Sequence, residues 1–308
     1  MDRKIRVAVL RGGPSHEYDV SLKTGRHVLS LLQDNSEVYE PRDVFISRSG
    51  EWFTHGVMRK PEDALLGTDV VWNALHGAYG EDGKVQSFLE KLGLPFTGSF
   101  SEASELAMDK IRTKKVFARN SFLIPRHEIV DDDVSQEQLL FIFRNFLHPV
   151  IVKPANGGSS IGTRIVHTFQ ELGEAIKHAL QYSKKALVEE FIRGKEATCG
   201  VVENARGEKL YALLPIEIRK HPKKRFFDYD AKYSGETEEI CPGNFSQKTS
   251  REIENLARKA HEVLGLNHYS RSDFIITPKG KIYILETNSL PGFTEESLIP
   301  KALHAVGW

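Results

Sequence analysis

The sequence predicts an α/β fold in two parts, an N-terminal domain on a parallel sheet and a second, α+β part divided into two lobes. Three observations support this prediction. Strand and helix patterns alternate up to about Gly98, strands dominate from Ala186 onward, and 308 residues are ample for about two domains. The expected domains cover residues 1–100 and 101–308, and the expected lobes of the second cover about 101–185 and 186–308.

The first part alternates apolar strands with helical patterns. Ile5–Leu10 is the first predicted strand, followed by a glycine-rich turn and a helix, and Val44–Ile46 is a further short apolar run. Val70–Leu75 is another predicted strand, which leads into the glycine-rich loop His76–Gly83 and a second helix. Such alternation implies a parallel sheet, whose strand-end loops are the usual place for a ligand.

The second part mixes helices and strands. The expected elements are helix Ile111–Asn120, strand Val150–Lys153, helix Gln170–Tyr182, strands Ala186–Phe191, Ala197–Val202 and Leu210–Ile218, and helix Thr249–Leu264. The stretch Arg219–Glu239 is rich in charged and aromatic residues without periodicity, which predicts a long loop. Two interpretations of that loop stay open, a solvated loop and a lid that carries Lys224, Arg225 and Lys232 over phosphates.

Composition excludes several classes of protein. Lys plus Arg and Asp plus Glu number 42 each, so no global field favours nucleic acid or an acidic membrane surface. The two cysteines, Cys199 and Cys241, have neither metal-ligand spacing nor the pattern of a disulfide framework, which fits a reducing cytosol. The N-terminal apolar run is too short for a signal peptide, and no stretch has the length of a membrane span. We therefore expect a cytoplasmic protein.

The most informative pattern is a polar hairpin near the C-terminus. Two apolar, β-branched runs flank the turn Thr277–Gly280. If the loop is centred on Lys279 and Gly280, Asp273 faces Glu286 and Arg271 faces Asn288. Side chains in a strand alternate between the two faces, so all four lie on one face of the sheet.

Two carboxylates that face each other suggest a bound cation. Opposite residues in a sheet have Cβ atoms about 5 Å apart, and like charges at that distance destabilise the pair. With Asn288 as a third oxygen ligand beside Asp273 and Glu286, the set favours Mg²⁺ or Mn²⁺ over zinc. The alternative is an edge hairpin with a solvated polar face.

Four further segments carry candidate binding residues, each with a structural alternative. Lys153 ends a strand before a Gly/Ser loop that reaches Gly162, which suits a phosphate but also an ordinary flexible turn. Glu189 and Glu196 flank a strand end, where they could bind a base amino group and ribose hydroxyls or be simply solvated. Glu17, in a turn after the first strand, would repel a phosphate and suits an ammonium group, or it belongs to a turn with a purely structural role. His76 could bind substrate, carry a proton or hold its loop by hydrogen bonds.

Taken in order, these segments resemble the D-alanine–D-alanine ligases of the ATP-grasp superfamily. The resemblance runs from end to end, and its eight matching segments are Arg11–Ser21, His76–Gly83, Met108–Lys110, Lys153–Gly162, Val188–Glu196, Phe227–Tyr233, Arg271–Asp273 and Glu286–Leu298. It implies a Rossmann-like, pre-ATP-grasp N-terminal domain followed by a two-lobed ATP-grasp domain. It also implies ATP-dependent ligation of two D-alanines through a D-alanyl phosphate, for peptidoglycan precursor synthesis.

The resemblance also assigns roles to individual residues. The implied ATP site comprises Lys110, Lys153 and Lys232 at the phosphates, Glu189 and Ile192 at adenine, Glu196 at the ribose, and Phe191, Phe226 and Leu285 as walls. The implied metal site holds two Mg²⁺ or Mn²⁺ ions on Asp273, Glu286 and Asn288. The implied substrate and catalytic residues are Glu17, Ser159 and Tyr233 at the first D-alanine, His76, Ser297 and Leu298 at substrate, and Arg271 and the Gly292 N–H at the oxyanion.

Tyr233 favours an amine as the second substrate, since related ligases that make D-alanyl-D-lactate replace this tyrosine. A homodimer is expected from the family. Two rival functions stay open, an ATP-grasp ligase with another amino acid pair and a non-catalytic nucleotide-binding regulator.

Overall fold

The computed structural model describes residues 3–220 and 237–308. Its strands β1 to β15 are Ile5–Gly12, Tyr39–Ile46, Trp52–Thr54, Val57–Arg59, Val70–Asn73, His127–Val130, Val150–Pro154, Arg164–Val166, Ala186–Glu190, Lys195–Ala205, Glu208–Ala212, Ile216–Lys220, Thr237–Ile240, Tyr269–Ile276 and Ile282–Asn288. Its helices α1 to α9 are Tyr18–Asp34, Pro61–Ala64, Lys84–Lys91, Ser101–Met108, Lys110–Arg119, Gln136–Asn145, Phe169–Ala179, Gln247–Val263 and Leu298–Ala305. Over these two ranges the strands form three sheets, and no helix there is long and apolar enough to cross a membrane.

The first sheet has the strand order β4-β3-β2-β1-β5. β1 pairs in parallel with β2 and β5, as the alternating pattern predicted. The prediction of a wholly parallel sheet is wrong at its other edge, because β3 and β4 are antiparallel. The connection from β2 to β3 is a tight turn closed by the Ser47 N–H on the Glu51 carbonyl at 2.8 Å. A parallel crossover needs about a dozen residues, so a turn of this length allows only a hairpin.

The second sheet is antiparallel, in the order β6-β9-β7-β8. Helices α6 and α7 cover it, and each begins with a capping box, at Ser135 with Gln138 and at Thr168 with Glu171. The expected lobe boundary near residue 185 would cut β9 away from its own sheet, since β9 pairs with both β6 and β7. This sheet therefore continues to Glu190.

The third sheet follows the order β13-β12-β10-β14-β15, with β11 also paired to β10. The predicted single strand Leu210–Ile218 is wrong, because the chain forms β11 and β12 on either side of Pro215, which has no N–H for a sheet ladder. The predicted loop Arg219–Glu239 is wrong at both ends, where Arg219 pairs with Glu238 between β12 and β13.

The core of the third sheet includes helices from the start of the second part. Phe117 on α5 and Phe122 just after it lie in one apolar cluster with Phe274 of β14 and Ala257 of α8. Residues 101–122 therefore pack on the third sheet, although they precede the second sheet in the chain. A division of residues 101–308 into two consecutive lobes would assign residues 101–122 to the second sheet, whereas they pack on the third.

The hairpin β14–β15 brings the four polar residues together as predicted. Arg271 pairs with Asn288, and Asp273 pairs with Glu286. The assumed register is wrong nearer the turn, where Ile276 pairs with Ile282 and a bulge follows between Asp273 and Phe274. The bulge makes Leu285 the extra residue and compensates for the one-residue error in the assumed turn centre.

Candidate active site

A cavity of about 1040 Å³ opens between the three sheets. Every predicted site residue within 3–220 and 237–308 lines it, namely Glu17, His76, Lys110, Lys153, Ser159, Glu189, Phe191, Ile192, Glu196, Arg271, Asp273, Leu285, Glu286, Asn288, Gly292, Ser297 and Leu298. The other predicted residues, Phe226, Lys232 and Tyr233 together with Lys224 and Arg225, lie outside the described residues. Distant parts of the chain thus converge on one cleft.

The carboxylate of Asp273 is held by two donors. Arg271 donates to it from Nε at 3.1 Å and from Nη2 at 3.0 Å, and the Thr198 hydroxyl donates at 2.6 Å. Burial alone would lower the pKa of Arg271, but Asp273 and Glu286 outweigh it and raise that pKa above its usual range. Sequence reasoning missed Thr198; its place on β10, directly opposite Asp273, became evident only from the sheet order.

The donor chemistry of the hairpin fits a hard divalent cation. Asp273 and Glu286 occupy opposite positions on adjacent strands, and Asn288 follows two residues later on the same face. Carboxylate and amide oxygens are the ligands that Mg²⁺ and Mn²⁺ accept. Across residues 3–220 and 237–308 no group of three or more His, Cys, Asp or Glu side chains could hold a metal. By the chemistry of their oxygens, the two carboxylates and the amide are the candidate ligands.

Two lysines frame the anion-binding end of the cavity. Lys153 ends β7, and Lys110 begins α5, with Nζ donating to the Gly157 carbonyl of the Gly/Ser loop and lying 3.4 Å from Glu286 Oε2. In that loop Ser159 and Ser160 adopt φ angles of 50° and 56°. Successive backbone N–H groups in a turn can form an anion-binding concavity, which suits a phosphate.

Glu189 is buried between two lysines. Its Oε1 lies 2.9 Å from Lys114 Nζ, and its Oε2 lies 3.0 Å from Lys153 Nζ. The alternative of a solvated strand-end glutamate is therefore wrong, since only 2% of the residue is exposed. Sequence reasoning missed Lys114; its spacing of four residues from Lys110, which puts both on one side of α5, is the signal that could have found it.

The first-domain end of the cavity is organised around Glu17 and Ser159. The Ser159 hydroxyl donates to Glu17 Oε2 at 2.6 Å, and the Ser15 hydroxyl accepts the Glu17 backbone N–H at 3.0 Å. Gly77 and Gly158 pack so closely that an added Cβ at either would lie 3.2 Å from Glu17 Oε1. The buried Glu17 carboxylate is thus held in one place at the cavity wall.

His76 is 4% exposed and uses both ring nitrogens. Nε2 forms a 2.9 Å hydrogen bond with the Thr24 hydroxyl, and Nδ1 lies 3.3 Å from Glu81 Oε1. The Gly77 N–H donates to the same Glu81 oxygen at 3.0 Å. These contacts agree with a histidine that holds its loop, and they place Glu81, which the sequence analysis missed, in the cavity wall.

The N-terminus of α9 forms the opposite wall. Its N-cap is Ser297, whose hydroxyl accepts the Thr294 N–H at 3.0 Å, and Leu298 follows. An added Cβ at Gly292 would lie 3.0 Å from the Ser297 hydroxyl, so the loop and the helix approach closely here. Lys301, also missed from the sequence, joins α9 to β13 through Glu239 at 2.9 Å.

Solved structures with the same fold are ligases. The D-Ala:D-Ser ligase VanG from Enterococcus faecalis superposes with a TM-score of 0.86 at 28% identity, covering 99% of this chain and 96% of that one. The D-alanine–D-alanine ligase from Coxiella burnetii gives 0.83 at 25% identity, with 99% and 90% covered. The fold and cleft therefore place the chain among ligases built on mixed α/β sheets.

Sequence comparisons identify the family. Models described as D-ala D-ala ligase C-terminus and N-terminus match residues 123–308 and 55–99. D-alanine–D-alanine ligase B of Chromobacterium violaceum is 39% identical over 98% of this chain and 93% of its own length. The enzyme of Geotalea uraniireducens is 38% identical over 98% and 91%. The chain belongs to the D-alanine–D-alanine ligase family, which confirms the resemblance noted in its motifs.

Proposed function

We propose that this protein joins two D-alanines into D-alanyl-D-alanine at the expense of ATP, for peptidoglycan precursor synthesis. One observation carries the proposal: all seventeen expected site residues that lie in the described part of the chain line one cleft. Two relatives that match over 98% of this chain and more than 90% of their own length are named D-alanine–D-alanine ligases, which supports the same reaction.

ATP binds between the second and third sheets. Lys110 and Lys153 contact its phosphates, Phe191 and Leu285 wall the base, and Glu196 takes the ribose hydroxyls. The Ile192 backbone reads adenine, together with Glu189. Phe226 and Lys232, which the family resemblance assigns to the same site, lie outside the described residues. This assignment is supported by the lysines and the apolar side chains that line the same cleft.

Asp273, Glu286 and Asn288 would hold two Mg²⁺ or Mn²⁺ ions. When bound, these ions neutralise the charge of the transferring phosphoryl group. The protein contributes the orientation of the ligands, since Arg271 and Thr198 fix the Asp273 carboxylate. Lys110 adds a positive charge beside Glu286.

The first D-alanine binds with its ammonium group at Glu17. Ser159 orients that carboxylate, Tyr233 supports the substrate from outside the described residues, and His76 holds the wall behind it. The carboxylate of this D-alanine attacks the γ-phosphate of ATP, which gives D-alanyl phosphate and ADP. Fixed alignment of the two reactants supplies much of the rate of such a step.

The second D-alanine binds with its carboxylate at the α9 N-terminus, near Ser297 and Leu298. Its amine attacks the acyl phosphate carbonyl, and phosphate leaves. Arg271 and the Gly292 N–H stabilise the tetrahedral oxyanion. A guanidinium has five N–H donors, of which two bond to Asp273.

The two domains of the proposed enzyme are residues 1–100 and 101–308. Within the second, the boundary between the lobes lies after Glu190, because β9 belongs to the second sheet. We place the enzyme in the cytoplasm, where ATP is available, and propose a homodimer that sedimentation equilibrium tests directly.

The deciding experiment is phosphate release from Mg-ATP with D-alanine, with product analysis by mass spectrometry. Parallel reactions contain L-alanine alone, D-alanine with D-serine, or D-alanine with D-lactate. Phosphate and dipeptide with D-alanine alone support the proposal. A preference for the mixed D-alanyl-D-serine product favours the second candidate, suggested by the likeness to VanG. ATP binding without phosphate release under any condition favours a nucleotide-binding regulator.

A further inference from the structure

Lys114, Glu189 and Lys153 form a buried charge cluster behind the nucleotide end of the cleft. They are 1%, 2% and 9% exposed. Lys114 Nζ lies 2.9 Å from one Glu189 oxygen, and Lys153 Nζ lies 3.0 Å from the other. Glu189 and Lys153 line the cavity, whereas Lys114 does not. Among the cavity-lining residues, Glu189 is the ion-pair partner of Lys114 within the described part of the chain.

The topology explains why the three meet. β7 and β9 are antiparallel neighbours in which Ile151 pairs with Glu189, so Lys153, two residues further along β7, lies on the same face of the second sheet as Glu189. Lys114 comes from helix α5, which packs on the third sheet. The cluster thus ties the helix to the sheet that holds the Gly/Ser loop.

The charges of the cluster are unequal, two lysines to one carboxylate. Burial lowers the pKa of Lys114, and Glu189 only partly offsets that effect. Burial alone would raise the pKa of Glu189, but Lys153 and Lys114 outweigh it and hold that pKa below its usual value. One lysine would satisfy the carboxylate, and a buried ion pair adds little net stability over apolar packing. The second lysine is better explained by a bound polyanion in the cleft.

We propose that Lys114 is a positioning residue for the nucleotide. It holds one Glu189 oxygen, so that the other holds Lys153 at the phosphates. This proposal depends on the proposed function in one respect, namely that the anion bound in the cleft is ATP. Losing one of the two close ion-pair contacts of Glu189 is expected to lower nucleotide affinity roughly 10- to 100-fold.

The test compares Lys114→Met with Lys115→Met, a matched control because Lys115 is the next residue on α5 and is exposed. Calorimetry measures binding of a non-hydrolysable ATP analogue without amino acid, and circular dichroism monitors the fold. K114M is expected to bind the analogue roughly 10- to 100-fold more weakly, with an unchanged KM for D-alanine. Folded K114M that binds like K115M overturns the proposal.

A double variant tests the route through Glu189 and serves also if K114M alone does not fold. E189Q/K114M is expected to bind the analogue as E189Q does, because Lys114 has no carboxylate left to position. A further loss of affinity in the double variant overturns the proposal. The binding assay needs no turnover, so a wild type that binds ATP but makes no dipeptide refutes the ligase function and leaves this test intact.

Discussion

The hydroxyl of Ser159 donates a 2.6 Å hydrogen bond to the carboxylate of Glu17, 142 residues earlier in the chain. One residue lies in the loop after β1, and the other lies in the Gly/Ser loop after β7. This bond joins the loop assigned to the phosphates to the acid assigned to the first D-alanine. The bond thus ties the Gly/Ser loop to Glu17.

The first prediction concerns this bond. S159A removes the donor but leaves Glu17 in place, so KM for the first D-alanine should rise roughly 10-fold, the value of one hydrogen bond to a charged group. E17Q should raise it further, because the ammonium loses its counter-charge. The affinity for ATP, measured on the same variants, is the control. If ATP affinity falls as much as KM for D-alanine rises, the assignment of Glu17 and Ser159 to the first D-alanine is wrong.

The second prediction concerns Thr198, which donates to Asp273 at 2.6 Å. T198V keeps the shape of the side chain and removes the donor, so Mn²⁺ affinity measured by electron paramagnetic resonance with ADP should fall roughly 10- to 100-fold. T68V, at a threonine on the loop before β5, is the control. Unchanged Mn²⁺ binding in T198V would show that Asp273 needs no such support.

The third prediction concerns acid stability. His261 is 1% exposed, with Nδ1 2.8 Å from the Ser270 hydroxyl and Nε2 3.5 Å from Glu203. Burial lowers its pKa below the ordinary 6.5, although Glu203 opposes this effect and His268 adds to it. The unfolded chain thus binds more protons, and the free energy of unfolding should fall as pH drops through about 6.5 towards the folded pKa, by at most about 1.4 kcal/mol per pH unit.

Urea unfolding at several pH values measures this dependence. H261Q should flatten the slope between about pH 7 and the folded pKa. H304Q, at an exposed histidine of α9, should keep the slope of the wild type. Equal slopes in all three proteins would assign the acid sensitivity to other groups.

The fourth prediction concerns Gly12 at the end of β1. Its φ is +94°, and an added Cβ would lie 2.2 Å from the Ile46 carbonyl oxygen. Gly50 has a φ of +87° but open space around it. G50A should cost about 1–2 kcal/mol of unfolding free energy for the left-handed backbone alone. G12A should cost at least about 1–3 kcal/mol more, because the carbonyl must move; equal losses would exclude the clash.

Much of the site was predictable because its signals are local. The turn between β14 and β15, the alternation along each strand and the Gly/Ser loop after Lys153 are patterns within about a dozen residues. The pairing of Asp273 with Glu286 was predicted correctly although the predicted turn centre was wrong, because the bulge at Leu285 shifts the register by one residue. The individual roles of the lining residues remain predictions.

Sequence alone therefore determined the α/β class, the family and seventeen of the residues that line the cleft. Tertiary structure decided what holds those residues: Thr198 behind Asp273, Lys114 behind Glu189, and Glu81 beside His76. It also decided that β3 and β4 run antiparallel and that α5 packs on the third sheet. The physical reason is range. Periodicity and turn chemistry depend on residues close together in the chain. The partner of a buried charge is instead a residue that the fold places within about 3 Å, and it can be far away in the sequence.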